Sequence, residues 1–264
     1  MSFRRIRILL LLGVLVLAVG FTSLERFMVR EWRAPLDVAI YPINGDGSKV
    51  ADDYIRALRP QDFADINAFL QRETARYGVP QKLAMTLSLE PEMRDKPPAP
   101  PAERSALKTM TWSLKLRWWT YRHSDQRLPQ LGKIRVYVLY HQPEPGKKLP
   151  HSLGLQKGLI GVVHAFADPK QTAQNNIVIA HEILHTLGAT DKYDAEGRPI
   201  YPIGYAEPEL PENIRRREAE IMAGRIALPD GRIVMPDSLE KCIIGPATAQ
   251  EINLNEAFRN NYAR

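Results

Sequence analysis

His181-Glu182-Ile183-Leu184-His185-Thr186-Leu187-Gly188-Ala189-Thr190-Asp191 is the stretch from which the rest of the chain is best read. Residues 177–187 are predicted to be helical, which puts His181 and His185 one turn apart on the same face. Two imidazoles at that spacing hold one metal ion between them. Glu182 beside them is placed to take a proton from metal-activated water. Gly188 suits a helix C-terminus, because glycine alone enters the left-handed conformation without strain. The sharp turn it allows brings Asp191 back as a third protein ligand. Three ligands leave a fourth position for water, the arrangement of a catalytic zinc rather than a structural one.

The pattern HExxH fixes only three of its five positions, and it also occurs in helices that bind nothing. Here the flanking residues add to it. Ile177, Val178, Ile179, Ala180, Ile183, Leu184 and Leu187 make the helix apolar on nearly every side, as in a helix buried in a core. Two histidines and a glutamate in such a helix need partners, and a metal supplies them.

HExxHxxGxx followed by a third ligand, with a methionine turn downstream, resembles the signature of the metzincin clan of zinc endopeptidases. Most members carry histidine as the third ligand; Asp191 makes this chain similar to the aspartate variant of snapalysin-type enzymes. The resemblance puts the methionine turn at Glu220-Ile221-Met222-Ala223-Gly224, with Met222 beneath the metal. Where metzincins commonly have a tyrosine, two residues after the methionine, this chain has Gly224. The resemblance covers residue 36 to the C-terminus as an order of elements, and its specific residues are confined to 181–191 and 221–223. The fold it implies is α+β. A twisted mixed sheet with packed helices would lie above a central active-site helix (N-terminal lobe, 34–188), followed by a small loop-rich C-terminal lobe (189–264).

The chain has 264 residues, 44% of them hydrophobic, enough for one well-packed domain and a small appendage. Its single cysteine, Cys242, excludes an internal disulfide framework and reads as a small buried hydrophobe in the run Cys242-Ile243-Ile244. The net charge of +6 would invite a nucleic-acid reading, but six arginines against two glutamates put +4 of it in residues 1–33, leaving +2 for the rest. No basic stripe with interleaved aromatics remains to contact phosphates, so no nucleic-acid partner is expected.

The charge at the N-terminus belongs to a membrane-flanking segment. Residues 1–7 are a short basic start, followed by an apolar run over 8–21, the layout of a secretory signal whose arginines stay in the cytosol. Fourteen residues fall short of the roughly 20 that span a bilayer, although Ile6 and Leu24 extend the run. Residues 1–33 therefore read as an uncleaved signal-anchor, with residues 34–264 as the catalytic domain on the extracytoplasmic, periplasmic side. The alternative is cleavage near Ala18-Val19-Gly20 and release.

Beyond the anchor, residues 36–41 alternate like a strand and stop at the turn cluster Asn44-Gly45-Asp46-Gly47. A helix is predicted over 61–77, with Phe63, Ile66, Phe69, Leu70 and Tyr77 on its core side and Gly78-Val79-Pro80 ending it. A strand follows over 83–89, and Pro97-Pro98-Ala99-Pro100-Pro101 is a stiff connection. The helix expected over 102–121 has two apolar stripes. One is Leu107, Met110, Leu114, Trp118 and Tyr121; the other is Trp112, Leu116 and Trp119. Two stripes read first as a helix sandwiched in the core. The other reading is an aromatic, basic face on the membrane surface, with Lys108, Lys115 and Arg117.

Residues 134–140 form a strong strand, and extended stretches are expected near 151–155 and 159–165. The resemblance implies that one of these is the upper edge strand, whose free edge pairs with substrate backbone. Of the extra histidines His141, His151 and His164, the last has the best claim to a role. Asp191, Asp194 and Glu196 read as a solvated turn rather than a calcium loop, and Arg215-Arg216-Arg217 as a solvated face. Asp230-Gly231 reads as a hairpin turn between 225–228 and 232–235, and a last helix is expected over 248–260 with Ile252 and Phe258 as core contacts.

The chemistry expected is hydrolysis of peptide bonds in a protein or peptide substrate. His181, His185 and Asp191 hold Zn2+, which polarises water and the scissile carbonyl; Glu182 takes the proton and delivers it to the departing amine. The aspartate ligand cancels one positive charge of the metal, so the water is less acidic than under three neutral histidines and Glu182 does more of the work. The resemblance implies a tyrosine that stabilises the oxyanion, for which Tyr193, Tyr201 and Tyr205 are open choices. A rival ligand set takes Glu218 or Glu220 in place of Asp191. Rivals from other classes are a catalytically silent, zinc-binding, membrane-anchored peptide-binding module and an envelope scaffold with an accidental motif.

Overall fold

The computed structural model describes residues 3–79, 85–103, 105–123, 132–146, 148–211 and 217–255. Helix α1 (Phe3–Arg30) leads into β1 (Leu36–Asn44), α2 (Lys49–Ala57) and α3 (Ala64–Arg76), the last entered through a single 3-10 turn, Pro60–Phe63. Next come β2 (Met85–Leu89), α4 (Ala106–Arg122), β3 (Lys133–His141), β4 (Leu153–Leu155), β5 (Ile160–Phe166) and α5 (Thr172–Leu187). The C-terminal part holds β6 (Ala219–Glu220), β7 (Ile226–Ala227), β8 (Ile233–Val234), β9 (Cys242–Ile243) and α6 (Pro246–Glu251).

The molecule is a mixed α/β protein built on a five-stranded mixed sheet in the order β2-β1-β3-β5-β4. The first four strands in that order are mutually parallel, and β4 closes one edge antiparallel to β5. Period-two alternation sorts the side chains of β3. Ile134, Val136, Val138 and Tyr140 face the large core with α3 and α5, while Tyr137 and Leu139 face a smaller cluster with Leu116 of α4. Each fully buried Ile or Val on that sheet contributes roughly 1.5–3 kcal/mol of transfer free energy. The central strands are apolar on both faces because helices cover both.

The expected elements are present with shifted ends, and α2 is an addition that hydrophobic periodicity alone does not reveal. Its start is nevertheless written in the sequence: the Ser48 hydroxyl accepts from the Ala51 N–H as an N-cap, and Ala51 and Ile55 are the buried residues of the helix. Residues 83–84 of the expected second strand, residues 256–260 of the expected last helix and Arg215 and Arg216 lie outside the described residues. The described part of that last helix is the short α6.

One reading is corrected. The helix α4 is not sandwiched in the core. Its Trp112, Leu116 and Trp119 stripe packs on the sheet, and Trp112 Nε1 donates to the Pro98 carbonyl of the proline-rich connection at 2.8 Å. The stripe Leu107, Met110, Leu114, Trp118 and Tyr121 faces outward and is more than half exposed throughout. The reason is layering: among the described residues α4 is the one helix in that cluster, so only one side of it meets the core. At the root of α1, Val29 and Trp32 are buried in the main core, and Trp32 Nε1 donates to the Ile252 carbonyl at 3.0 Å. Among the described residues no helix is long and apolar enough to cross a membrane; the side chains at 14, 15, 17, 18, 21, 22 and 26 within α1 are outside the description.

The C-terminal part is held to α3 by polar links. Arg72 donates to the carbonyls of Leu239 and Cys242 at 3.0 and 2.7 Å, and Glu73 accepts from the Ile244 N–H at 2.9 Å. Cys242 itself is buried and unpaired; burial pushes its thiol up to about 12.

Candidate metal centre

Helix α5 runs under the sheet and ends at Gly188 (φ +109°), whose left-handed conformation turns the chain back. On this helix His181, Glu182 and His185 each present one ligand atom, all within 4.8 Å of one another. Asp191 follows the turn, and its Oδ1 lies 3.1 Å from Nε2 of His181 and 3.1 Å from Nε2 of His185.

Hydrogen bonds on the far side of the rings decide what those distances mean. His181 Nδ1 donates to the Ile221 carbonyl at 2.9 Å, and His185 Nδ1 donates to the Ala189 carbonyl at 2.8 Å. A carbonyl oxygen only accepts, so each Nδ1 carries hydrogen and, in the neutral ring, each Nε2 is left with a lone pair. Two lone pairs aimed at one carboxylate oxygen repel it unless both rings take a second proton or a cation sits among the three atoms. Ligands about 2.0–2.1 Å from a tetrahedral ion stand about 3.3 Å apart, close to the separations seen. The backbone carbonyls fix tautomer and ring orientation, as outer partners of metal-binding histidines do. The donor set fits a zinc-type ion.

Charge in the pocket follows the same geometry. Burial presses the His181 pKa down, but Asp191, Glu182 and the Ile221 carbonyl together hold it above its ordinary value. Burial alone would raise Asp191, and the two histidines overcome it, so its carboxyl is held below the usual range. Glu182 is raised, by burial first, against the opposing pull of the two histidines. It is only 4% exposed, and its Oε2 is a buried oxygen with no hydrogen-bond partner among the described residues. An unpartnered carboxylate oxygen beside three converging donor atoms is placed to accept a proton.

Three devices position Asp191. Lys192 N–H donates to the Met222 carbonyl at 3.0 Å, tying the ligand loop to the methionine turn. Thr190 donates through its N–H and its hydroxyl to the Glu251 carboxylate of α6, at 2.9 and 2.7 Å. The Lys192 ammonium, buried with its residue 1% exposed, reaches both Glu251 oxygens and the Thr190 carbonyl. None of this buried clamp is readable in the sequence, where Lys192 and Glu251 are two ordinary charged residues.

The turn at Met222 is built by Glu220. Its Oε2 accepts from the Met222 and Ala223 N–H groups, and its Oε1 from the Gly245 N–H and the Thr248 hydroxyl. Glu220 is thus fully engaged in shaping the turn, away from any metal, and Glu218 is not part of the described ligand cluster. Met222 is fully buried, and the preceding carbonyl, that of Ile221, is the one that orients His181.

A cleft of about 390 Å3 opens beside these residues, lined by His151, His164, His181, Glu182 and Tyr193 among others. Tyr193 stacks over His181 with ring centroids 6.4 Å apart; burial and the nearby Asp191 carboxylate push its hydroxyl up to about 12. Tyr201 and Tyr205 pair with each other at 5.3 Å, and Tyr201 donates to the Pro208 carbonyl. Of the three tyrosines left open by sequence, Tyr193 is the one on the site. His164 joins His141 through a 2.9 Å Nδ1–Nε2 hydrogen bond, with burial and then His141 depressing its pKa to about 4. Asp194 is spent on its own turn, accepting from the Glu196 and Arg198 N–H groups and pairing with Arg198.

The edge strand β4 lies directly over the helix. A Cβ on Gly154 would meet the Glu182 carbonyl and His185 Cβ at 2.5 Å, so only glycine lets strand and active helix approach this closely.

No family model and no curated protein matches the chain. Among solved structures, wild-type OgpA from Akkermansia muciniphila aligns over 81% of this chain at 12% identity, with a TM-score of 0.38. The chain spans 58% of that protein's length. A likeness of that degree carries no argument about family or chemistry. The protein has a mixed α/β fold carrying a His-Glu-His cluster close enough to hold a metal ion.

Proposed function

We propose that this protein is a zinc-dependent endopeptidase of metzincin-like build, tethered through α1 to a membrane with its catalytic domain on the extracytoplasmic side. One observation carries the reading: His181 Nε2, His185 Nε2 and Asp191 Oδ1 converge beside a buried Glu182 oxygen that none of the described residues satisfies.

Zinc held by His181, His185 and Asp191 supplies Lewis acidity toward water and the scissile carbonyl. The chain's own residues do the rest. Glu182 takes a proton at Oε2, and its burial makes it a better base than an exposed glutamate; it then gives the proton to the departing amine. Tyr193, whose hydroxyl stays protonated over the working pH range, donates a hydrogen bond at the rim where oxyanion charge develops. The outer edge of β4 takes substrate backbone as an added strand, which gives binding with little sequence preference. The stretch Phe3–Met28 of α1 exposes apolar side chains that include Leu9, Leu10, Leu11 and Leu12, which supports a bilayer contact.

A silent zinc-binding module or scaffold has no use for an orphaned, buried glutamate, because an unpartnered carboxylate costs stability. The test is metal analysis of the full chain in detergent, paired with a peptide-library digest with and without a chelator. Stoichiometric zinc and chelator-sensitive cleavage are expected. Absence of metal, or cleavage that a chelator leaves untouched, sinks the reading.

A further inference from the structure

The exposed face of α4 has no part in the proposed chemistry. Leu107, Met110, Leu114, Trp118 and Tyr121 recur at i, i+3, i+7, i+11 and i+14, so they form one apolar stripe along most of the 17-residue helix, about 21 Å long. Their exposures run from 56% to 67%. The opposite side of the same helix, centred on the fully buried Leu116, is packed against the sheet. Monomeric soluble proteins rarely leave a contiguous apolar strip of this size facing water.

Charge says what covers it. Lys108, Lys115 and Arg122 follow one another at seven-residue intervals along one border of the stripe, all exposed, and Arg117 lies on the other border. Trp118 and Tyr121 stack at 5.8 Å at the C-terminal end. Apolar centre, cationic borders and amphipathic aromatics together are the composition of a helix lying in the headgroup region of an anionic bilayer, where lysine and arginine stems reach up past the apolar face. A protein partner would favour a stripe with fewer lysines at its margin.

Position agrees. Arg117 lies within electrostatic reach of Glu25, in the last two turns of α1. The C-terminal half of the stripe therefore lies toward the helix whose described apolar side chains between Phe3 and Met28 are exposed. We infer that α4 is a second membrane contact, lying in the plane of an anionic lipid surface and fixing the orientation of the domain beside α1. The inference rests on α1 meeting a bilayer and is independent of the zinc chemistry.

Three single-cysteine versions of the full chain, in a Cys242→Ala background, test it: Leu114→Cys on the stripe, Leu10→Cys on α1 and Lys170→Cys in the turn before α5. Each is labelled with an environment-sensitive fluorophore and reconstituted in phosphatidylglycerol/phosphatidylcholine vesicles, with nitroxide-labelled lipids as quenchers. The label at 114 is expected to shift to the blue and to lose intensity to nitroxides near the headgroups, while that at 170 stays wet. Loss of the 114 effect in vesicles of phosphatidylcholine alone, or at high salt, supports the basic borders as the reason. A wet label at 114 with a quenched label at 10 overturns the inference and leaves the anchor standing. Wet labels at both overturn both. A dry but unquenched label at 114 that depends on protein density in the vesicle assigns the stripe to a second copy of the chain and overturns lipid contact.

Discussion

Lys192 is buried against Glu251, its ammonium 2.8 and 2.7 Å from the two carboxylate oxygens, and this pair, 59 residues apart in sequence, holds the loop that carries Asp191. The same Glu251 takes both hydrogen bonds from Thr190, and its backbone carbonyl accepts from Arg30 at the root of α1. The position of Asp191 is thus set by the C-terminal helix and, through it, by the base of α1.

Replacing Glu251 with alanine strands the Lys192 ammonium in the core. A loss of about 3 kcal/mol is expected, read by denaturant unfolding, with a 10–100-fold drop in zinc affinity as the loop loosens. Lys192→Met paired with Glu251→Leu removes both charges and should recover most of the stability but not the affinity. A single Glu251→Ala variant with unchanged zinc affinity would show that the clamp has no part in placing Asp191.

The competing candidates for a third ligand, Asp191 against Glu218 or Glu220, can be separated by substitution. Asp191→Ala is expected to lose zinc, whereas Glu220→Gln is expected to keep it while lowering thermal stability, since Glu220 accepts four hydrogen bonds that shape the turn at Met222. Glu182→Gln should retain the metal and cut turnover by a factor of about 10²–10⁴. Retained activity in Glu182→Gln would remove the general base from the proposal.

Gly154→Ala probes the contact between the edge strand and the active helix. Its Cβ would sit 2.5 Å from the Glu182 carbonyl and from His185 Cβ, so backbone must move, at a cost of about 1–3 kcal/mol. Activity should fall more than folding does, because the displaced element is the one proposed to hold substrate. Equal stability and kcat/KM in this variant would contradict the close packing.

His164 provides the acid limb. Its folded pKa is about 4, against an unfolded value near 6.5, so between those pH values the unfolded chain binds more protons than the folded one. Stability contributed by the neutral, buried imidazole is full above about pH 6.5 and is lost as pH falls toward 4. His164→Gln should flatten that slope in urea unfolding measured across the window. Asp46 titrates lower, at about 2, held there against burial by Ser48 and the Gln142 N–H, and so does not blur the result. A slope that survives the substitution places the acid-sensitive group elsewhere.

How much of this was legible beforehand depends on the range of the interaction. The one-turn spacing of His181 and His185, the flanking glutamate and the glycine that ends the helix are local facts. They follow from 3.6 residues per turn and from the single residue type that enters the left-handed region freely, so residues 181–191 could be read in isolation. The strands of the sheet were legible for the same reason, through β-branched runs and turn clusters; α2 was missed because its short amphipathic pattern follows a turn cluster that reads as loop.

Other features belong to the tertiary structure alone. Glu220 looks like a possible ligand in sequence and becomes a turn-builder only when Gly245 and Thr248 come beside it. Lys192 and Glu251 acquire meaning only when α6 packs against the ligand loop. The double stripe of α4 contains no information about how many layers will cover it, so its outward face was decided by topology: a helix that lies as a lone layer buries one side and leaves the other for whatever the molecule meets. Sequence sets local geometry because neighbouring residues share backbone dihedrals. Which distant charges become buried partners is settled by the packing of elements that the local pattern cannot see.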